Sequence, residues 1–177
     1  LTGPSWAHPF GTDDFGRDIF SRILHGAQIS FQVGVIAVGI SAVIGVVLGI
    51  VAGYVGGWID TVISLLMDVL FAFPAILLMI AIGIVNAPAF MRVVRGSVLS
   101  VRQATYIESA VSVGASTGRI MRKHVFPNIT APLIVHASLN FAFAVLAEAS
   151  LAYLGLGNTP PSPSWGSMVS SSYGFLQ

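Results

Sequence analysis

The chain has 177 residues and a formal net charge of +1, with 55% apolar and only 8% charged residues. A soluble domain carries about a quarter charged residues, so this composition excludes an ordinary water-soluble globule and points to a membrane protein. The near-neutral charge leaves no basic footprint for nucleic acid, and without cysteine there is neither a disulfide framework nor a thiolate metal site. The chain opens Leu1-Thr2-Gly3, with no initiator Met and no basic-then-apolar leader, as expected of a fragment of a longer polypeptide. Residues 1–29 are the first polar piece. Pro4, Pro9 and Gly11 keep its start irregular, and Asp13 or Asp14 can cap a helix beginning near Phe15. Ile19, Phe20, Ile23 and Leu24 then share a face opposite Arg17 and Arg22, the pattern of an interfacial helix. His8, Asp13, Asp14 and Asp18 match no calcium-loop spacing; capping accounts for the acids, and no metal is expected.

Between residues 23 and 59 there is no Asp, Glu, Lys or Arg, a run well beyond the ~20 residues that span a bilayer. It predicts a transmembrane helix over about residues 30–54. Ser41, Gly45, Gly49, Gly53 and Gly57 recur every fourth position, and such a ladder lets another helix approach backbone to backbone in lipid. Gly56-Gly57 is expected to make a short turn. Residues 58–91 are apolar again, with Asp60 at an interface and Asp68 further in. An intramembrane carboxylate needs a polar partner or a water-filled cavity, which makes Asp68 a candidate for the translocation path or an interhelical contact.

Arg92, Arg95, Arg102, Arg119, Arg122 and Lys123 are six of the chain's eight basic residues, so the loop they occupy is expected on the cytoplasmic side. Thr105-x-x-Glu108 has the form of a capping box. Tyr106, Ala110 and Val113 share a face, with Ile107, Val111 and Gly114 beside it. Gly114 suits a helix C-terminus, because glycine enters the left-handed region without a Cβ penalty. Ser116 can cap a second short helix carrying Ile120, Met121, His124 and Val125, which Pro127 is expected to stop. Helix, tight turn, helix, with one apolar face and a basic rim, is the shape of a docking plug.

The next span is expected over residues 131–154. At 100° per residue His136, Asn140 and Glu148 fall within a ~120° sector, where polar groups either bond between helices or line a path for solute. Glu148, nearer the far end, leans to a structural or gating role. Residues 154–166 are turn-rich, with Trp165 suited to a membrane interface. Gly114-Ala115-Ser116-Thr117-Gly118 fits G-x-S-x-G, but that nucleophile elbow needs a strand before it, whereas helices are expected on both sides; no catalytic residue is assigned. No G-x-x-x-x-G-K-[ST] occurs, so the chain holds no P-loop nucleotide.

Glu108-Ser109-Ala110, three residues, Gly114, nine residues, then His124-Val125-Phe126-Pro127 resembles the cytoplasmic EAA loop of bacterial ABC-importer permeases. Glu108, Ala110, Gly114 and Pro127 match that pattern, while Ser109, His124 and Phe126 depart from it. The run HPFGTDDFGRDIFSRILHGAQIS after Ala7, together with the segment 154–166, is similar to the second, or C-type, permease of dipeptide, oligopeptide and nickel importers. The resemblance implies an all-α, polytopic transmembrane helical bundle of the type I ABC-importer permease fold, here lacking its first and last helices. Residues 1–29 would be an external amphipathic segment, 30–154 the transmembrane domain with a coupling loop at 92–128, and 155–177 an external segment.

It further implies a non-catalytic, multi-pass subunit of the bacterial cytoplasmic membrane, in contact with lipid. Its partners would be a second permease chain, two ATP-binding subunits that hold the ATP and magnesium, and an external substrate-binding protein; the chain itself would carry no cofactor. Tyr106, Glu108, Ala110, Gly114, Ala115, Ile120 and Pro127 would couple to the ATPases, with the faces around Ala110 and Ile120 entering a groove there. The cargo would be di- or oligopeptides, with nickel an alternative; a self-contained channel or secondary transporter is the rival outside this class. Many relatives place a basic residue three positions before the acid at 68, but here that position is Leu65, so any ion pair must come from another segment or chain. With both 1–29 and 155–177 outside, residues 58–91 would have to leave the cytoplasm and return, and they are too few for two spans, which need ~40. A segment is therefore expected to be missing near Ile80–Ala81; the rival is one long span over 58–91.

Overall fold

Two helical stretches, Ile19–Val55 and Thr117–Tyr153, each of 37 residues, are long and apolar enough to cross a membrane. The computed structural model describes residues 2–72, 79–156 and 162–173. Its helices are α1 (Ile19–Val55), α2 (Gly57–Ala72), α3 (Met79–Arg102), α4 (Thr105–Ser112), α5 (Thr117–Ile120), a π turn (Met121–Val125), α6 (Phe126–Tyr153) and α7 (Trp165–Tyr173). Among the described residues the only β pairing is one isolated bridge, Thr12 with Asp18. The chain divides into two compact units, Leu1–Val35 with Ala142–Gln177, and Ile36–Phe141; α1 and α6 contribute residues to both.

In the first unit Asp18, not Asp13 or Asp14, caps the first helix. Its carboxylate accepts the Ser21 N–H at 2.9 Å and the Ser21 hydroxyl at 2.6 Å, so α1 begins at Ile19 rather than near Phe15. Asp13 instead closes the turn before it, accepting the N–H groups of Phe15 and Arg17 and the guanidinium groups of Arg17 and Arg22. The amphipathic stretch is not a separate interfacial helix but the opening turns of α1, because no proline or left-handed glycine interrupts it. Part of the terminal segment expected to be turn-rich is the helix α7. Its first turn lies against both long helices: the Trp165 indole donates to the Ile23 carbonyl at 3.2 Å, and a Cβ on Gly166 would collide with the Ala149 backbone. Residues 157–161 of that segment lie outside the described residues.

In the second unit α1 ends at Gly56 and Gly57, whose φ angles of 71° and 62° reverse the chain. α2 and α3 are antiparallel: Asp60 faces Arg95 and Asp68 faces Arg92. The apolar stretch 58–91 is therefore not one long span. α3 runs unbroken through Ile80–Ala81, where a missing segment was expected, while residues 73–78 lie outside the described residues. The core gathers Val94 and Val98 of α3 with Ile107, Ile120, Val125 and Ile129, flanked by Val46, Ile50 and Tyr54 of α1.

Candidate functional site

The α4–α5 hairpin is built by local backbone chemistry. α4 has the capping-box letters without the box: Thr105 is already helical, Ala104 holds the N-cap position, and no side chain bonds there. Tertiary burial of Ile107 sets that start instead. The other end forms a Schellman motif. The Gly114 N–H donates to Val111 at 2.9 Å and the Ala115 N–H to Ala110 at 3.0 Å, with Gly114 at φ 78°. Ser116 holds the N-cap of α5 in an extended conformation, but its hydroxyl makes no capping bond. Pro127 does not end the second helix. It lies in the first turn of α6, and the preceding π turn takes up the strain that its ring and missing N–H impose. The Asn128 side chain donates to the His124 carbonyl there at 2.7 Å.

Which face of the hairpin is available differs from the expectation. Ile120 is 1% exposed inside the chain's own core, and Ala110 and Ala115 pack against that core, so this face is occupied within the molecule and cannot enter a partner's groove. The outward surface carries Tyr106, Glu108, Gly114 and Pro127, together with Val111 and Val113, which periodicity had placed with the apolar face of the hairpin; Val113 is 87% exposed. Val113 is the tip. A cleft of about 380 Å3 beside it is lined by Tyr54, Arg102, Ile107, Glu108, Val111 and Ser112, with the Arg102 guanidinium 5.8 Å from the Tyr54 ring centre. Arg119, Arg122 and Lys123 form the exposed basic rim.

Of the small-residue ladder, four members face α3. The Ser41 hydroxyl lies 2.6 Å from the Gly83 carbonyl and 2.8 Å from that of Ala37. A Cβ on Gly45 would strike Phe90, one on Gly49 would strike Met91 and Val94, and one on Gly53 would strike Val98. Gly57 meets nothing within 4 Å; it belongs to the turn, not the ladder.

The polar membrane residues part company. His136 packs edge-on against the Phe90 ring at 4.6 Å, and the Asn140 amide nitrogen lies 3.0 Å from His136 Nε2 and 2.9 Å from the His136 carbonyl. In the other unit Glu148 is buried and accepts the Ser30 hydroxyl at 2.8 Å. Asp68 finds its partner in Arg92, 2.5 Å away, with side chains 58% and 53% exposed. Asp60 takes both nitrogens of the Arg95 fork at 2.5 Å. Sequence reasoning missed Arg92 and Arg95 as partners; the one available signal was that both lie one turn apart on the helix carrying the loop.

Outside the apolar spans, two carboxyls titrate below their ordinary value. Desolvation raises Asp13, but hydrogen bonds from the backbone and side chain of Arg17 and from Phe15 more than offset it. The Ser21 hydroxyl and N–H hold Asp18 down, with His8 adding to them. The carboxylates of Asp13 and Asp18 are thus taken up by hydrogen bonds.

Residues 45–176 match the family described as the binding-protein-dependent transport system inner membrane component. The chain is similar to the dipeptide transport system permease protein of Alkalihalophilus pseudofirmus, 48% identical over 100% of this chain and 63% of the relative. It is likewise similar to the glutathione transport system permease protein of Escherichia coli O157:H7, 48% identical over 94% of this chain and 60% of the relative. The chain thus spans less than two thirds of the length of these relatives. The first alignment runs over 192 positions, more than the 177 residues of this chain.

Proposed function

The chain belongs to the family of binding-protein-dependent transport system inner membrane components, and from that premise we propose that it is a permease subunit of an ATP-driven importer of di- or oligopeptides. The observation that carries this reading is the exposed α4–Gly114–α5 hairpin, seated on a core shared by α1, α3 and α6. Glu108, Val111 and Val113 stand on this hairpin, whose buried Ile107 and Ile120 pack in one core with Val94 and Val98 of α3. That is a mechanical link from a partner's surface to the membrane helices. The names of the two relatives, for dipeptides and for the tripeptide glutathione, support peptide cargo.

In this reading the basic rim lies in the cytoplasm. Two ATP-binding subunits, which hold ATP and magnesium, dock on the hairpin; a second permease chain completes the path, and an external binding protein delivers the peptide. ATP binding draws the ATPases together, the hairpins follow, and the helices open outward; hydrolysis returns them. The test is co-expression with the neighbouring ATPase, permease and binding-protein genes, then co-purification and peptide uptake in vesicles. Uptake that requires ATP and every subunit supports the reading. Peptide or ion flux by this chain alone, indifferent to ATP, would establish the channel or secondary transporter instead.

A further inference from the structure

Asp60 clamps Arg95 of α3 at both nitrogens of its fork, and Asp68 holds Arg92. Arg102, the last residue of α3, differs from both. Among the described residues no carboxylate pairs with it. Its guanidinium lies 5.8 Å from the ring centre of Tyr54, and a Cβ built on Gly56 would come within 3.4 Å of its Nη1. The cation is thus backed by the end of α1 and the glycine turn, and it lines the cleft of about 380 Å3 beside α4. Glu108 lines the same cleft, and its carboxylate likewise has no ion-pair partner among the described residues.

The level of this cleft follows from α1, one of the two helices able to cross a membrane. Residues 33–55 carry Ser41 and Tyr54 as their only polar side chains, whereas His25, Gln28, Ser30 and Gln32 precede them. At 1.5 Å per residue that apolar stretch rises ~34 Å, close to the ~30 Å thickness of a hydrocarbon core. It ends at Tyr54 and Val55, so the Tyr54 ring stands at the level of the lipid headgroups, where tyrosine is favoured. Arg102, against that ring, stands there too. A cleft at that level with one free cation and one free anion calls for a ligand carrying the reverse. A purely anionic headgroup would satisfy Arg102 and be repelled by Glu108. A choline headgroup brings a quaternary cation with no N–H to donate. A phosphate followed by a primary ammonium satisfies both charges.

We propose that this cleft binds the headgroup of an aminophospholipid, its phosphate on Arg102 and its ammonium on Glu108. The guanidinium fork suits phosphate with two parallel hydrogen bonds, and the carboxylate accepts from the ammonium. The Ser112 hydroxyl donates to the Glu108 carbonyl at 2.9 Å, which leaves its lone pairs to accept a further ammonium hydrogen. Val111 and the buried Ile107 supply an apolar wall for the methylenes between the two charges. The ligand joins Tyr54 and Arg102, at the ends of α1 and α3, to Glu108 and Ser112 on α4. A bound headgroup therefore braces the hairpin against the membrane helices. The site rests on the membrane placement of α1; the importer reading enters only where transport is measured.

The experiment uses the whole complex, purified with its partner subunits and offered phosphatidylethanolamine, phosphatidylglycerol or phosphatidylcholine, with retained lipid counted by native mass spectrometry. Phosphatidylethanolamine binds about tenfold more tightly than either of the others, the gain expected of one charge-assisted hydrogen bond. Arg102→Gln weakens its retention by about tenfold or more. Glu108→Gln removes the preference, so that phosphatidylglycerol binds as well. Arg119→Gln, on the exposed rim outside the cleft, leaves retention unchanged. In vesicles of phosphatidylglycerol and phosphatidylcholine, added phosphatidylethanolamine raises ATP-coupled peptide uptake severalfold in the unaltered complex and not in Arg102→Gln. Equal retention of the three lipids by the unaltered complex overturns the proposal, and that result needs no variant to fold. So does full retention of phosphatidylethanolamine by Arg102→Gln. Glu108 joined to an ATPase by a zero-length carbodiimide cross-link, with no lipid retained, gives the cleft to the ATPase instead. Tight binding of soluble phosphoethanolamine with no lipid retained gives it to a free zwitterion. Retention is read without transport, so a complex that takes up no peptide removes the importer reading while the lipid result still decides the site.

Discussion

Gly49→Ala tests the close approach of α1 to α3 with the smallest available change. An added Cβ would lie 2.8 Å from the Met91 carbonyl oxygen and 2.8 Å from Cβ and Cγ1 of Val94. Carbon contacts relax near 3.5–4.0 Å, so the helices must part by roughly 0.7 Å. A gap of that size forfeits about a quarter to a half of the dispersion well at the contacts it opens, and rungs at Gly45 and Gly53 share the same backbone approach. Overpacking of this kind costs about 1–3 kcal/mol. Alanine's better helix propensity returns up to ~1 kcal/mol, and Gly39→Ala controls for it, since nothing lies within 4 Å of a Cβ there. The expected result in thermal unfolding of the purified complex is a Tm about 2–12 °C lower for Gly49→Ala than for Gly39→Ala, at 2–4 °C per kcal/mol for a chain of this size. Gly49→Leu goes further and lowers the yield of assembled complex. Equal Tm for the two alanine variants would refute the claim that backbone proximity on this face carries the packing.

Gly114→Asp places a side chain at φ 78°, at a cost of about 1–2 kcal/mol. The chain should still insert, while substrate-stimulated ATP hydrolysis and uptake both fall. Ser116→Ala removes a hydroxyl that makes no capping bond and should shift stability by less than ~0.5 kcal/mol; abolished transport in that variant with normal transport in Gly114→Asp would sink the coupling assignment. Asp60→Asn strands the Arg95 fork and should destabilise the assembled complex by about 1–3 kcal/mol, partly recovered by Asp60→Arg with Arg95→Asp; an unchanged Tm in the single variant counts against the clamp. The folded-state pKa values of Asp13 and Asp18 lie below the ordinary 3.8, so their contribution is complete above that value and lost as pH falls through the lower folded values. Amide exchange at Phe15, Arg17 and Ser21, corrected for its intrinsic pH dependence, should report constant protection from pH 7 to about 5 and declining protection below about 4; a loss centred near pH 6 would assign the turn to another group.

The features legible in the residues alone are those that the backbone decides locally. An uncharged run of sufficient length becomes a helix that can cross a membrane, because every backbone polar group must be satisfied within it. Gly56, Gly57 and Gly114 take positive φ where a chain of L-residues must reverse, so both turns could be placed without knowing any neighbour. The hairpin's spacing from Glu108 to Pro127 was readable through its resemblance to the coupling loop of the permease family. Partner choice was not. Asp68 and Arg92 are 24 residues apart, Asp60 and Arg95 are 35 apart, and Ser30 and Glu148 are 118 apart, and nothing in local periodicity pairs them. The greasy face of the hairpin could be recognised as apolar, but apolar surface has no direction of its own. Only the position of Val94 and Val98 on a neighbouring helix turns Ile107 and Ile120 inward and leaves Val111 and Val113 outside. Pro127 likewise carries the same restricted backbone in either outcome; whether the helix stops or continues through a π turn is decided by the burial of Val125 and Ile129 on both sides of it, which holds the two segments on one axis.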